Sequence, residues 1–504
     1  MVSAISETLL VLITTILFIR LVKYLWSLLN TYRMCSLIPG PPGYPLIGSA
    51  LDFLDHNREN TLRTLIGYFT AYPKFFKFWM GTEVVIGLST PEHLEIILNH
   101  PKCLEKSIFY DVTKCLVGNG IFSAPVHSWR KNRKSISSTF SGRNLNVFVK
   151  NFSDQAKKLT DILTKNIGTK RVDIFPLLSA CNVDILCETA MGVIMNAQTS
   201  DDHFGKWIAS AEEIISIRMT NPWYYTNFMF SLTTKNKILK KCVAAMKGFT
   251  NKLVTEKKQT FDKKMMDLNN GILVEDENSS HKILLDVLLQ QKNEMKLTDE
   301  EVYDEVNTFF AAGPDTTACA LAFCLMTLGI YPEIQQRVYE ELVDVLGTER
   351  EVTAEDLPHL HYLDKVIKET LRIFPTAPIF SRSPTANIDI NDAVIPAGSI
   401  ILLCPLFTHR NPKYWKNPLT FDPERFSSTE VSKRHPYSYF PFSLGPRGCV
   451  GYKFANMAMK TVIATVLRKL IIKSEYQSVE EVRLQLSFLL KPCQGFKVSL
   501  QIRE

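Results

Sequence analysis

Apolar residues fill Leu9 to Ile19 apart from Thr14 and Thr15, and resume after Arg20 and Lys23 through Leu25, Trp26, Leu28 and Leu29. About 20 helical residues cross a bilayer core, so this pattern predicts a membrane anchor over residues 1–30. No Lys or Arg precedes Arg20, which argues against a cleaved secretory signal with its basic start. Arg20 and Lys23 leave open an amphipathic helix lying in the membrane surface. The run IPGPPGYPLIGS, Ile38 to Ser49, then forbids a continuing helix and predicts an extended, semi-rigid hinge, assigned to residues 31–50.

Helical periodicity dominates the remainder. Its clearest instance starts at KLTDEEVYDEVNTFFAAGPDTT, where Thr298 and Glu301 have capping-box spacing and apolar residues crowd every position past Phe309, until Gly329 and Pro332. A helix of about 30 residues would reach about 45 Å through the interior. Pro314 lacks the N–H that should bond the Phe310 carbonyl, so this helix is expected to kink or open there. Strand patterns are fewer: Val84 to Leu88, Ile388 to Leu403 around the turn Pro396-Ala-Gly398, and Lys497 to Ile502. The fold class expected is mostly α with minor β. No second linker composition appears, so residues 51–504 are read as one catalytic domain, with the polar run Asp267 to Ser280 as an exposed loop.

Composition changes this picture little. The 504 residues, 46% hydrophobic and 22% charged, are globular, and a net charge of +7 is too dilute for a nucleic-acid footprint. The eleven cysteines form no CxxC pair and no zinc spacing, which argues against a disulfide framework. Arg20, Lys23 and Arg33 follow the apolar run while Glu7 precedes it, so the positive-inside rule leaves the rest of the chain in the cytosol. Two sequons, Asn151-Phe-Ser153 and Asn278-Ser-Ser280, check that topology: glycan on either would overturn it.

One cysteine stands apart. In FSLGPRGCVG, Gly445, Gly448 and Gly451 are expected to take positive φ and to pass close to a flat body without a Cβ in the way. Such a loop aims N–H groups at the Cys449 sulfur beside the start of a helix near Ala455, which favours an anionic sulfur ligand. Arg447 would face an acidic group on the same body. The pattern Phe442, Gly445, Arg447, Cys449, Gly451 resembles the haem-binding loop of the cytochrome P-450 family. Further motifs follow the family's order over essentially the whole chain: the proline-rich hinge, Trp129-x-x-x-Arg133, Ala312-Gly-x-Asp-Thr-Thr317, Glu369-x-x-Arg372, Arg382 and Pro423-Glu-Arg-Phe426.

The resemblance implies the P-450 fold and a haem-thiolate monooxygenase, with haem b held by the Cys449 thiolate and electrons reaching it from NADPH through a separate reductase. Trp129, Arg133 and Arg382 would meet the haem propionates. Glu369 and Arg372, alone a solvated helical pair, would join Arg425 in a buried structural network. Asp315 and Thr316 match the acid and alcohol that relay protons, although a lone threonine in a helix ordinarily bonds back to a carbonyl. The segments EVNTFFAAGPDTT and RHPYSYFPFSLGPRGCVG look most like the microsomal clan that oxidises fatty acids and other long chains, particularly its insect members. Many of that clan carry a glutamate that esterifies haem where this chain has Ala312, so haem is expected without that bond, and in-chain hydroxylation or epoxidation becomes possible.

Phe309, Phe310, Ala312 and the segment Thr376 to Ile379 are the substrate-facing candidates, and the run Asn221 to Phe230 is balanced between pocket wall, core and membrane-dipping surface. The implied partners are NADPH-cytochrome reductase, cytochrome b5, a lipophilic substrate and the endoplasmic reticulum membrane, with the catalytic domain on the cytosolic face and no nucleic acid. Two alternatives remain: a peroxide isomerase or dehydratase of the same fold that does not need O2, and a catalytically silent haem or lipid carrier.

Overall fold

The computed structural model describes residues 2–44, 47–53, 57–200, 204–270 and 282–503. Helix α1, Val2–Met34, is unbroken and exposed, and its span Ser6–Met34 is long and apolar enough to cross a membrane. Its end is tied down. The Lys77 ammonium donates to the carbonyls of Cys35 and Ser36, the Lys77 N–H donates to Pro39 O at 2.8 Å, and Tyr32 packs on Trp79 with ring centroids 5.8 Å apart. The hinge is thus docked on a strand. An added Cβ at Gly40 would lie 1.9 Å from the Lys77 carbonyl oxygen, so only glycine permits that approach.

That strand, β1 Phe75–Met80, was not expected from the sequence. Phe76, Phe78 and Met80 alternate into the core, and the turn at Gly81, φ +65°, pairs β1 antiparallel with β2, Glu83–Leu88. Strands β3, Phe380–Arg382, and β4, Ile400–Leu403, complete a sheet of order β1-β2-β4-β3, in which β2 and β4 run parallel. A hairpin of β5, Leu484–Leu486, with β6, Leu490–Pro492, carries the loop that reaches the interior. Lys497–Ile502 forms a third small sheet with Val172–Asp173 and Leu470–Lys473.

The helical body surrounds one buried axis. The helices that matter below are α2 (Val126–Thr139), α3 (Gly142–Lys165), α4 (Phe175–Leu186), α5 (Phe204–Thr220) and α6 (Thr234–Asn269). After them come α7 (Asp299–Ala312), α8 (Pro314–Ile330), α9 (His361–Ile373) and α10 (Tyr452–Lys469). The anticipated central helix is therefore two helices. Thr298 and Glu301 form the reciprocal capping box, and the chain breaks at Gly313 because Pro314 offers the Phe310 carbonyl no donor. Beyond the break α8 is almost wholly buried, with Phe323 stacked on Phe374 at 4.5 Å. Of the polar run Asp267 to Ser280, residues 267–269 end α6, and 271–280 lie outside the described residues.

Candidate functional site

The break between α7 and α8 opens onto a cavity of about 420 Å³, walled on its other side by the cysteine loop, the start of α10, one face of α2, β3 and the tip of the β5–β6 hairpin. Its walls bring together most of the residues singled out by sequence: Trp129, Arg133, Phe309, Ala312, Thr316, Thr376, Ile379, Arg382, Phe442, Arg447, Cys449 and Gly451 all line it. Six do not appear on the wall. Asp315 lies behind it, Gly445 supports it from outside, and Phe310 and the Glu369 network belong to the core.

The cysteine loop is closed by two backbone hydrogen bonds, Gly448 N–H to Gly445 O at 3.0 Å and Cys449 N–H to Phe442 O at 2.9 Å. Only one of its three glycines has positive φ, contrary to expectation. Gly445 has φ +71° and its absent Cβ would lie 2.2 Å from Leu98 O, while Gly448 and Gly451 keep negative φ and Ser443 takes +58°. Gly451 serves differently: it lines the cavity, and an added Cβ there meets nothing within 4 Å. Cys449 is exposed, and the surface it exposes is cavity wall. Burial raises its thiol pKa, opposed by a hydrogen bond from Gly451 N–H and by the charge of Arg133.

Around this loop the wall is cationic. Arg447 donates to the carbonyls of Leu104 (2.9 Å), Ile121 (3.4 Å) and Ala124 (2.6 Å), with its guanidinium 4.4 Å from the Trp129 ring centroid. Arg133 donates to Gly448 O at 2.9 Å, and Arg382 to Ser381 O at 3.0 Å and Ser443 Oγ at 3.4 Å. Lys106, which sequence reasoning missed, completes the group with its ammonium 4.1 Å from the Tyr110 ring centroid. Among the described residues no Asp or Glu lines the cavity. Burial and the neighbouring guanidiniums depress the proton affinities of Lys106 and Arg447, the latter to about 10. A body with two carboxylates at one edge, as haem has, is the chemistry this wall lacks, and the bare Gly451 leaves room for its flat face. The residues fit the group.

Across the cavity the chemistry changes. Thr316 reaches the wall, but its Oγ1 donates to Ala312 O at 2.8 Å, the ordinary back-bond of a helical threonine. Asp315 turns the other way, is 4% exposed and accepts a hydrogen bond from Ser179 Oγ of α4. Burial pushes its carboxyl up. On α7, the fully buried Glu305 accepts from Ile121 N–H at 2.9 Å and Asn132 Nδ2 at 2.7 Å, and burial pushes it to about 7. Glu305 therefore clamps α7 to the segment beside Arg447 and to α2.

The apolar side is a funnel of aromatic and aliphatic groups. Phe309 stacks on Phe140 at 5.6 Å. Phe310, assigned to substrate from sequence, instead packs edge-on against Phe249 of α6 at 5.5 Å and does not reach the cavity. Phe310 points about 100° away from Phe309 and so falls on the face of α7 turned toward α6. In the run Asn221 to Phe230, Phe230 is buried, Trp223, Phe228 and Met229 are exposed, and the cavity wall stops one residue earlier at Thr220.

Below the cysteine loop, Glu369 and Arg372 are fully buried and bidentate, at 2.7 and 2.8 Å. Arg425 Nε lies 3.4 Å from Glu369 Oε1 without hydrogen-bond alignment, and Asp422 N–H donates to the same oxygen at 3.0 Å. Arg372 also donates to His409 O at 2.8 Å, and His409 Nε2 accepts from Phe440 N–H, which links the network to the stretch before Phe442. The sequon at Asn151 lies within α3, its Ser153 buried and bonded to Val352 O at 2.8 Å. Asn278 lies outside the described residues.

Comparison with known proteins gives one answer along the chain. A family model described as Cytochrome P450 matches residues 38–499. The chain is 32% identical over 497 residues to Cytochrome P450 4c21 of Blattella germanica, covering 97% of this chain and 98% of that protein. It is 34% identical over 492 residues to Cytochrome P450 4V2 of Rattus norvegicus, covering 96% and 93%. Cytochrome P450 4c3 of Drosophila melanogaster is 32% identical over 500 residues, covering 96% and 91%.

Proposed function

The chain belongs to the cytochrome P450 family and is a haem monooxygenase, and from that premise we propose that Cys449 ligates the haem and that the substrate is a long, lipophilic chain. The observation that carries this reading is that Cys449, the four cations and Thr316 share one cavity whose remaining wall is largely apolar and carries no acid among the described residues. When bound, cysteine-ligated haem supplies the activation of O2 and the insertion of one oxygen atom, with NADPH providing electrons through a reductase.

The chain's own residues then have separate tasks. Arg133, Arg382 and Arg447, with Trp129 beneath Arg447, hold the anionic edge of the cofactor. Phe442 and Gly451 border its face, and Gly445 keeps the loop in register. Glu369, Arg372 and Arg425 brace the loop from below. Phe309, Ala312, Thr376 and Ile379 exclude water and orient the substrate. Thr316 Oγ1 holds a proton at the wall, and the Asp315 carboxyl replaces it from behind. Ala312 provides no carboxylate for a covalent tether, which supports freely bound haem and favours in-chain hydroxylation or epoxidation. The apolar N-terminal helix is compatible with an anchor. We place the protein in the endoplasmic reticulum membrane with its catalytic domain in the cytosol, and glycan on Asn278 would contradict that orientation.

The test incubates the full chain with an NADPH-dependent reductase, labelled O2 and a pool of long-chain lipids, followed by mass spectrometry. One labelled oxygen atom per product molecule, dependent on NADPH, is expected. Product formed without NADPH would favour the isomerase or dehydratase reading, and haem-loaded protein with no product would favour the silent carrier.

A further inference from the structure

The grip of α7 on the chain beside Arg447 is wider than one carboxylate. Asp304 accepts from Asn119 N–H at 2.7 Å, Glu305 accepts from Ile121 N–H at 2.9 Å, and Thr308 Oγ1 donates to Val117 O at 3.1 Å. Residues 117–121 therefore lie along α7 as a strap. Two glycines permit the contact: an added Cβ at Gly120 would lie 2.1 Å from Thr308 Oγ1, and one at Gly118 would lie 1.8 Å from Asp304 Oδ1. The strap then turns tightly, with the Ser123 and Ala124 N–H groups donating to Gly120 O at 3.0 and 2.9 Å, which fixes Ala124 relative to the gripped residues.

Glu305 is the member of this set that reaches a second element. Its other oxygen accepts from Asn132 Nδ2 of α2 at 2.7 Å, so both oxygens of this fully buried carboxyl are bonded. Glu212 of α5 is the contrasting case: its Oε2 is buried with no hydrogen-bond partner among the described residues, and Lys491 of β6 is the charge that favours its ionised form. Each donor to Glu305 has a cation of the cavity wall on its far side. Ile121 gives its N–H to Glu305 and its carbonyl to Arg447 at 3.4 Å, and Ala124 O accepts from the same guanidinium at 2.6 Å. Asn132 precedes Arg133, which donates to Gly448 O at 2.9 Å. Asn132 Oδ1 is buried without a partner among the described residues, so the bond to Glu305 is what orients that amide.

We propose that Glu305 is a positioning residue for the cofactor: through Ile121 and Asn132 it sets the two segments that seat Arg447 and Arg133, so that α7, which walls the substrate side, also fixes the anionic edge of the haem. The proposal rests on the reading that these two arginines hold that edge.

Its test uses the haem-loaded full chain in lipid vesicles, comparing wild type with Glu305→Leu, Glu305→Gln, Asn132→Leu and Arg447→Ala. The readouts are the rate of haem transfer to excess apomyoglobin, the resonance Raman bands of the propionates and the carbon monoxide spectrum. Glu305→Leu leaves two buried donors unpaired and should lose haem about tenfold faster, with shifted propionate bands and the thiolate Soret band intact. Glu305→Gln should stay within about twofold of wild type: its Oε1 accepts from Ile121 N–H, and once the Asn132 amide turns over, Asn132 Oδ1 accepts from the new Nε2–H. Asn132→Leu cuts one arm and should lie between the two. Glu305→Leu combined with Arg447→Ala should lose haem more slowly than the product of the single effects. Wild-type haem retention and propionate bands in Glu305→Leu, a Gln variant no better than Leu, or a full product in the double variant overturns the positioning role. Should Glu305→Leu fail to fold, Asn132→Leu decides by the same readouts. Arg447→Ala with wild-type haem retention would instead bring down the reading on which the proposal rests.

Discussion

Arg382 and Arg447 on one side of the cavity, and Asp315 and Glu212 behind the other, are all nearly or wholly removed from solvent. The cations keep their charge because backbone carbonyls from Leu104, Ala124 and Ser381 solvate them, and among the described residues no acid on the wall cancels them. The acids have a serine hydroxyl and one shared lysine, so burial drives them toward their neutral forms. The same degree of burial therefore leaves fixed positive charge in one place and carboxyls biased toward protonation in the other. What decides is whether polar partners arrive with the chain.

The largest test of this contrast lies in the network that does pair its charges. Glu369→Ala leaves the fully buried Arg372 without its carboxylate and should destabilise the fold by about 3–5 kcal/mol, read from the urea midpoint. Arg447→Ala removes a cation that has carbonyls rather than an acid as partners, and should cost about 2–3 kcal/mol while accelerating haem loss. Equal destabilisation by the two would break the contrast. Gly445→Ala should be comparably damaging to haem uptake, because the loop cannot clear Leu98 O.

On the acid side effects should appear in chemistry before stability. Thr316→Ala removes a hydroxyl bonded only to the nearby Ala312 and Gly313 carbonyls at the break, so the fold and haem content should survive while product per NADPH falls about tenfold. The smallest effect expected is on pH dependence. Glu212 and Glu305 are raised in the folded state to about 8 and about 7 from an ordinary 4.5. The folded chain then binds more protons than the unfolded one between these values, so stability should decline as pH rises from about 5 to about 8. Urea midpoints across that window measure it, and Glu212→Gln should flatten part of the decline.

How much of this was legible beforehand follows the same division. The capping box at Thr298, the break at Pro314 and the cysteine loop are local: each depends on residues within a few positions of one another, and the chain carries its own signal. Strand β1 was missed because FFKFWM is apolar nearly throughout, so its alternation shows only once Gly81 turns it onto β2. Lys106 beside Glu105 and Glu212 beside Glu213 were missed because a pair of adjacent charges reads as solvated surface, and only tertiary packing shows which of them turns inward. Phe309 and Phe310 could not be separated without knowing which face of α7 the break exposes. Gly448 and Gly451 were given a positive φ that only Gly445 adopts; at Gly448 an added Cβ would instead lie 3.1 Å from Gly445 O, a close approach that needs no unusual rotation.

The central claim is that the sulfur of Cys449, held in its loop among fixed cations, is the anionic ligand of the haem. The most direct measurement is the absorption spectrum of reduced, haem-loaded protein under carbon monoxide, compared with Cys449→Ser. Wild type should show the long-wavelength Soret band that thiolate ligation produces, and the variant should lose it. Folded, haem-loaded wild type without that band, or a serine variant that retains it, would contradict the account.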